Sequence, residues 1–500
     1  MAKNIMVQGT ASSVGKSIIN AALCRVLTQD GYRVAPYKSQ NMALNSFVTD
    51  EGLEMGRAQV VQAGACGRKP SVLMNPVLLK PTGDSSAQVI VMGKVMENKN
   101  AADYHAFKPE LRNIILDAYR QLEQTCDIIV LEGAGSPAEI NLRENDIVNM
   151  GMAELVDAPV ILVADIDRGG VFASIVGTVH LLAEDERRRV RGVIINKFRG
   201  DIEILRPGLK QLEEITGIPV IGVVPYADIK LEDEDSVTER FARRGNRSCI
   251  DVCVVKTPWI SNFTDFNVFD LFSDVNLRYV QRADEIGEPD MLILPGSKNT
   301  IADMGYIRSE GIDAEISFLH KKGKVIAGIC GGFQMLGSVI EDPYGIEGAI
   351  VSTDGLGLIS MRTVIEKEKI TVQVKGTVAS GTGILGGLQG CPVSGYEIHM
   401  GRSTCTDGAE AFTETQAGTG GVVSGNLLGT YIHGIFDNTG FTRGLLNNIR
   451  KNKGLSPLEH SGDFNRLKEE EYDKLATLIR ENIDMKIIYS ILEGDDAAHH

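Results

Sequence analysis

The sequence predicts an α/β protein with two doubly wound domains in one chain of 500 residues. Three observations carry this. Short apolar, β-branched runs alternate with amphipathic stretches through both halves, the pattern of βαβ units and parallel sheets. Near the start, an apolar run leads through the Gly-rich loop Gly9-Thr10-Ala11-Ser12-Ser13-Val14-Gly15-Lys16-Ser17 into a helical pattern. In the second half, another apolar run leads through Gly328-Ile329-Cys330-Gly331-Gly332-Phe333-Gln334 into a short helix.

Taken in order, the strands of the first half fall at residues 4–7, 33–35, 126–131, 159–164, 191–196 and 219–224. Helical patterns lie between them, among them 17–29, stopped by Gly31, and 108–124. In the second half, residues 249–255, 291–294 and 324–327 are the corresponding strands. A charged stretch at 239–248 follows an acidic one at 232–235 and marks the break. The expected division is therefore 1–240, 249–450 and a helical, charged tail at 451–500, with the terminal His499 and His500 left out of any site.

Hydrophobic residues make up 43% and charged residues 23%, an ordinary composition for a soluble α/β chain. The net charge of −15 argues against a nucleic-acid partner, which would call for basic surface. No apolar run reaches the roughly eighteen residues of a membrane helix. The first residues enter a strand directly, without a secretory pattern. The eight cysteines form no C-x-x-C pair, which suits a reducing cytoplasm. Cys249 and Cys253 lie in an alternating strand with no His or second cysteine pair at ligand spacing, so no metal is expected there.

A Gly-rich loop between strand and helix is the setting of a phosphate site, where backbone N–H groups and the helix N-terminus meet the anion. Gly9, Thr10, Ser13 and Gly15 would wrap ATP, Lys16 would reach its β- and γ-phosphates, and Ser17 would hold Mg²⁺. Five residues rather than the usual four separate Gly9 from Gly15. This longer loop resembles that of the dethiobiotin synthetase group of P-loop ATP-dependent ligases. Further segments resemble the same group: Lys38 after the second strand, Glu132-Gly133-Ala134-Gly135, and Ile195-Asn196-Lys197. The resemblance implies that Glu132 and Glu54 bind Mg²⁺, that Asn196 meets the adenine and that Lys38 assists catalysis. It also implies phosphoryl transfer to a carboxylate, giving an acyl phosphate that ammonia attacks.

Cys330 sits in a turn of small residues between strand and helix, which is nucleophile-elbow geometry. A helix N-terminus and a nearby His both favour thiolate. His433, in Gly429-Thr430-Tyr431-Ile432-His433-Gly434, lies in a strand-then-turn segment suited to a base. Gly296, Ser297 and Gly331 could present N–H donors as an oxyanion hole. The motif Gly-x-Cys-x-Gly-x-Gln resembles the class I glutamine amidotransferases, which implies glutamine as nitrogen donor. Those enzymes carry a Glu two residues after the His, where this chain has Ile435. The expectation is a Cys–His dyad, oriented by another group or by backbone.

Both halves in this order look like the cobyrinic and cobyric acid amidases of corrinoid biosynthesis. The segments Lys38–Ser46, Gly56–Gln59, Met74–Pro81, Glu144–Met150, Asp165–Phe172 and Gly395–Gly401 carry that resemblance. It implies ATP- and glutamine-dependent amidation of the b, d, e and g carboxylates of adenosylcobyrinic acid a,c-diamide. A corrinoid polycarboxylate needs donors, and Gln40, Asn41, Asn45, Asn75, Lys80 and Arg168 are the candidates; each could equally cap or face solvent. Asp146 is the candidate for orienting ammonia or the reacting carboxylate, with a helix cap as the plainer role. Two alternatives stay open. One is the sibling amidase acting on the a and c carboxylates; the other is a ParA-like regulatory ATPase with a non-catalytic glutaminase fold. Oligomeric state is left open.

Overall fold

A computed structural model describes residues 2–83, 86–227, 229, 231, 249–405, 409–416, 418–459 and 464–494. The charged break expected at 239–248 and the terminal His499 and His500 lie outside these residues. The chain forms two compact units: residues 1–43, 55–234 and 467–500 in one, residues 44–54 and 235–466 in the other.

The first unit is built on a parallel sheet in the order Val220–Pro225, Val190–Phe198, Val160–Asp165, Lys3–Gly9, Ile128–Glu132, Val34–Tyr37. Strands covered on both faces read as continuous apolar runs, which is why Ile128–Glu132 and Val160–Asp165 are buried almost throughout. The C-terminal ends of Lys3–Gly9, Val34–Tyr37 and Ile128–Glu132 deliver Gly9, Lys38 and Glu132 to one edge of this sheet. The helix Lys16–Gln29 starts after Gly15, whose φ of 97° favours glycine, and it packs on the sheet through Ile19, Leu23 and Leu27. A smaller sheet, Gln40–Met42, Val77–Gly83, Ser86–Val91 and Lys94–Asn100, carries Gln40, Asn41 and Lys80. The helix expected at 108–124 runs Ala101–Glu123, started by an Asn100 side chain that accepts from the Asp103 N–H, and it passes through Pro109.

The second unit holds a mixed sheet whose parallel part runs Val275–Val280, Ile250–Val255, Met291–Leu294, Val325–Ile329, Leu427–Thr430. Alternate residues of one strand supply different cores: Ile250, Val252 and Val254 join one cluster, Cys253 and Val255 the other. The sheet continues through antiparallel strands, including the long pair Met361–Val378 and Pro392–Cys405.

Two segments lie outside the contiguous division 1–240, 249–450, 451–500. The expected tail at 451–500 is not a separate element. Tyr472, Leu475, Ala476, Ile479, Ile488 and Ile491 are buried in one cluster with Ile5, Val7, Ile19 and Leu23, and the Tyr472 hydroxyl donates to the Val61 carbonyl at 2.8 Å. Residues 44–54 group with the second unit although they precede most of the first. Apolar periodicity reports which face of a segment is buried, not what buries it.

Candidate active sites

In the first unit, two expected residues, Ser17 and Lys38, meet at a third, Glu132. Its Oε1 accepts from Ser17 Oγ at 2.8 Å and from Lys38 Nζ at 2.8 Å, in a pair almost wholly removed from solvent. Gln62, which sequence reasoning passed over, donates to the other carboxylate oxygen and is itself held by Asn20. A polar residue on the mostly apolar helix Arg57–Ala65 was the only signal for it. Lys16 Nζ donates to the carbonyls of Ala11 and Gly135 at 2.9 and 3.0 Å, so the lysine spans the loop to the Glu132–Gly135 turn. Asn196 donates to the Val14 carbonyl at 2.9 Å and packs where a Cβ on Gly15 would stand. Ser13 holds a φ of 59°, and Thr10 N–H donates to the Val163 carbonyl. Gly9, Thr10, Ser13, Gly15, Lys16, Ser17, Lys38, Glu132 and Asn196 therefore share the edge of one sheet.

The other expected residues divide. Asn75 is a staple: its amide donates to the Lys38 and Val77 carbonyls and accepts the Gly56 N–H. Gln40 accepts from the Tyr104 hydroxyl, and Asn41 donates to Gln59. Lys80 is buried in the small sheet, opposite Gln88. Arg168 is exposed in the turn before Val171–Leu181. Asp146 takes the N–H groups of Val148, Asn149 and Gly151 and so caps the helix Met150–Leu155. Three donors on a carboxylate with about four acceptor positions fix its direction and leave room for one more. Asn45 and Glu54 group with the second unit, where the Glu54 carboxylate is ion-paired with Lys369.

In the second unit, the elbow is as sharp as its glycines suggest. Cys330 has φ 50° and ψ −106°, a strained conformation for a residue with a side chain. A Cβ on Gly332 would lie 2.0 Å from the Leu294 carbonyl oxygen, so only glycine lets the turn close onto its neighbouring strand. Ile432–His433 brings the imidazole in beside it by pairing with Pro392–Cys405. Gly296, paired with Ser261, lies so close to His433 that an added Cβ would stand 3.1 Å from the ring. A Cβ on Gly331 would meet the Ser297 nitrogen at 2.8 Å. Gly296, Ser297, Gly331, Cys330 and His433 are therefore one cluster.

The expected dyad has a third member. Asp265, in the 3₁₀ segment Phe263–Leu271, accepts from His433 Nδ1 at 2.6 Å and from the Gly434 N–H at 3.1 Å. The pair is buried. Burial pulls the imidazolium down, but the Asp265 carboxylate outweighs it and Cys330 adds to it, so His433 is pushed up to about 10. The Cys330 Sγ lies 3.7 Å from the Ile398 carbonyl. A second missed carboxylate, Asp303, accepts from Ser297 Oγ, Thr257 Oγ1 and the Trp259 N–H and so fixes the Gly296–Ser297 turn. Burial raises it to about 6, against those hydrogen bonds. Nothing in its spacing sets Asp265 or Asp303 apart from other acids in the chain.

Chemically, the first constellation can bind and polarise a polyphosphate, and the second is a thiol–imidazole–carboxylate row beside a pair of small residues. Comparison with known proteins agrees with both. Residues 5–237 match the CobQ/CobB/MinD/ParA nucleotide-binding domain, and residues 251–441 match the CobB/CobQ-like glutamine amidotransferase domain. The chain is 54% identical to a cobyric acid synthase of Thermoanaerobacter sp. (strain X514), over 99% of each protein. It is 53% identical to that of Alkaliphilus metalliredigens, over 98% of this chain and all of the relative, and 52% identical to that of Clostridium tetani, over 98% of each. Both alternatives weighed from the sequence give way to this full-length match, and the chain belongs to the cobyric acid synthase family, as an ATP-dependent ligase that takes nitrogen from glutamine in cobalamin synthesis.

Proposed function

We propose that the chain amidates the b, d, e and g carboxylates of adenosylcobyrinic acid a,c-diamide, one glutamine and one ATP for each. The observation that carries the four-site reading is full-length identity above half to proteins named for making cobyric acid. Cys330 Sγ attacks the glutamine amide carbon, while N–H groups at Gly296, Ser297 and Gly331 face the developing oxyanion. His433 gives its proton to the departing ammonia and then takes one from the water that releases glutamate. Asp265 keeps the imidazole in the required tautomer and orientation.

At the phosphate loop, Lys16 and Lys38 neutralise the phosphoryl group as it passes from ATP to a substrate carboxylate. Ammonia then attacks the acyl phosphate and phosphate leaves. Ser17 Oγ and the Glu132 carboxylate, two hard oxygen donors 2.8 Å apart, fit Mg²⁺. When bound, Mg²⁺ supplies charge neutralisation on the phosphates. Asn196 supports the adenine side of the loop. Asp146, aimed by its cap, orients the incoming ammonia or carboxylate, and Gln40, Asn41, Lys80 and Arg168 contribute donors to the corrinoid. Asn75 acts indirectly, by holding Lys38 and Gly56 in place. All eight cysteines are free, no helix among the described residues can cross a membrane, and the charge is acidic; a cytoplasmic enzyme without nucleic-acid partners accords with these.

Mass spectrometry of the a,c-diamide incubated with protein, ATP, Mg²⁺ and glutamine tests the reading. Each amidation exchanges a hydroxyl for an amino group and leaves a countable mass step. Four steps are expected; a product that stops short with glutamine and ATP in excess would sink the four-site assignment.

A further inference from the structure

Residues 44–54 touch a neighbour of every member of the hydrolytic row. The Ser46 N–H donates to Asn262 Oδ1 at 2.9 Å, and the Ser46 carbonyl accepts from the Tyr396 hydroxyl at 2.9 Å. Asn262, held at φ 51°, starts the segment that carries Asp265, and its carbonyl accepts the Asp265 N–H at 3.0 Å. The Tyr396 ring stacks on His433 with centroids 5.4 Å apart, and the two residues are paired across their strands. Val48 packs with Tyr396 and with Ile398, whose carbonyl faces Cys330 Sγ. Phe47 meets the Tyr396 ring edge-on. The far side is pinned as well, since Thr371 donates to the Gly52 carbonyl and Gln373 to that of Val48. Inside, the Thr49 N–H closes on the Leu53 carbonyl at 2.8 Å. Ser46, Val48, Asn262 and Tyr396 are all buried.

We infer that residues 44–54 are a positioning strap for glutamine hydrolysis, acting through Asn262 on Asp265 and through Tyr396 on His433. One bond from Ser46 N–H aims the carboxylate segment, and one to Ser46 C=O fixes the ring on which the imidazole rests. A base held by a single carboxylate can swing about that bond; a stacked ring on its face removes the freedom. The strap acts through neighbours of Cys330, His433 and Asp265, so its residues are positioning residues. The inference rests on Cys330 and His433 as nucleophile and base.

Two substitutions isolate the strap. Asn262→Gly keeps the positive φ and removes the acceptor for Ser46, while Tyr396→Phe keeps the stacked ring and removes only its hydroxyl. Each should lower kcat for glutamine hydrolysis about tenfold, because small misplacement of a base is costly. KM for glutamine should move by less than about twofold, since substrate binding is untouched. The ratio of glutamine-supported to ammonia-supported amidation should fall with it, and Asn262→Asp, which retains the acceptor, should restore kcat. Unchanged kcat in both variants, or equal loss with both nitrogen donors, would overturn the strap. Tyr396→Phe decides the matter if Asn262→Gly fails to fold. Cys330→Ala, run alongside, separates the two readings: if it retains glutamine-supported turnover, the nucleophile is wrong rather than the strap.

Discussion

Asp265 lies 168 positions before His433 and holds its Nδ1 at 2.6 Å. The same Asp also takes the Gly434 N–H, locking the turn behind the imidazole. A carboxylate from another element thus restores the orienter that Ile435 removes.

Asp265→Asn should cut glutamine-supported kcat by about a hundredfold or more, by analogy with the loss of tautomer control in other triads. The pH profile should move with a definite sign. With His433 pushed up to about 10, its proton stays available to the departing ammonia through neutral pH, and activity falls as pH rises through that value. Removing the carboxylate takes away the main raising influence, so the alkaline limb should shift down toward the ordinary imidazole value near 6.5. A limb that stays in place would show that Asp265 does not control the base.

Cys330→Ala should abolish amidation with glutamine while sparing it with ammonium salts, because the proposed phosphoryl transfer uses none of the elbow residues. Steady-state turnover with each nitrogen donor checks this. Equal survival of both would remove Cys330 from the chemistry.

Lys16→Ala should stop ADP release with either nitrogen donor if, as proposed, the lysine that bridges Ala11 and Gly135 meets the phosphates. Coupled ADP measurement gives the readout. Turnover within a few-fold of the parent, on the scale of lost phosphate stabilisation, would be incompatible with the assignment.

Leu475→Ala tests the C-terminal helix Phe464–Asn482 as part of the first unit's core. Removing a fully buried leucine side chain should cost about 2–5 kcal/mol. Denaturant unfolding should register this, with ammonia-supported turnover lost at lower denaturant than in the parent. A midpoint equal to the parent's would mean that the helix is dispensable to that core.

What the sequence made legible was local. Strand, glycine turn and helix follow each other closely at both loops, so Lys16, Ser17 and Cys330 could be placed from spacing alone. Lys38 and Glu132 came through resemblance, and their meeting on parallel strand ends follows from the sheet order. Asp265, Asp303 and Gln62 did not show, because each acts across more than one element and stands in an unremarkable stretch. Asp146 shows a subtler ambiguity: the cap that explains it as a structural residue is also what would aim it.

The chain passes four times between its two units, and this changes what can be separated. Cutting at the charged stretch near 239–248 would leave the glutaminase half without residues 44–54 and the ATP half without residues 467–500. Each half would then lack buried parts of its own core, including Val48 in one and Tyr472 and Ile479 in the other. The two activities are therefore interlocked by connectivity and not merely joined end to end. A gene split at that boundary would yield two incomplete folds, so exchange of either half between relatives must carry its distant segment along.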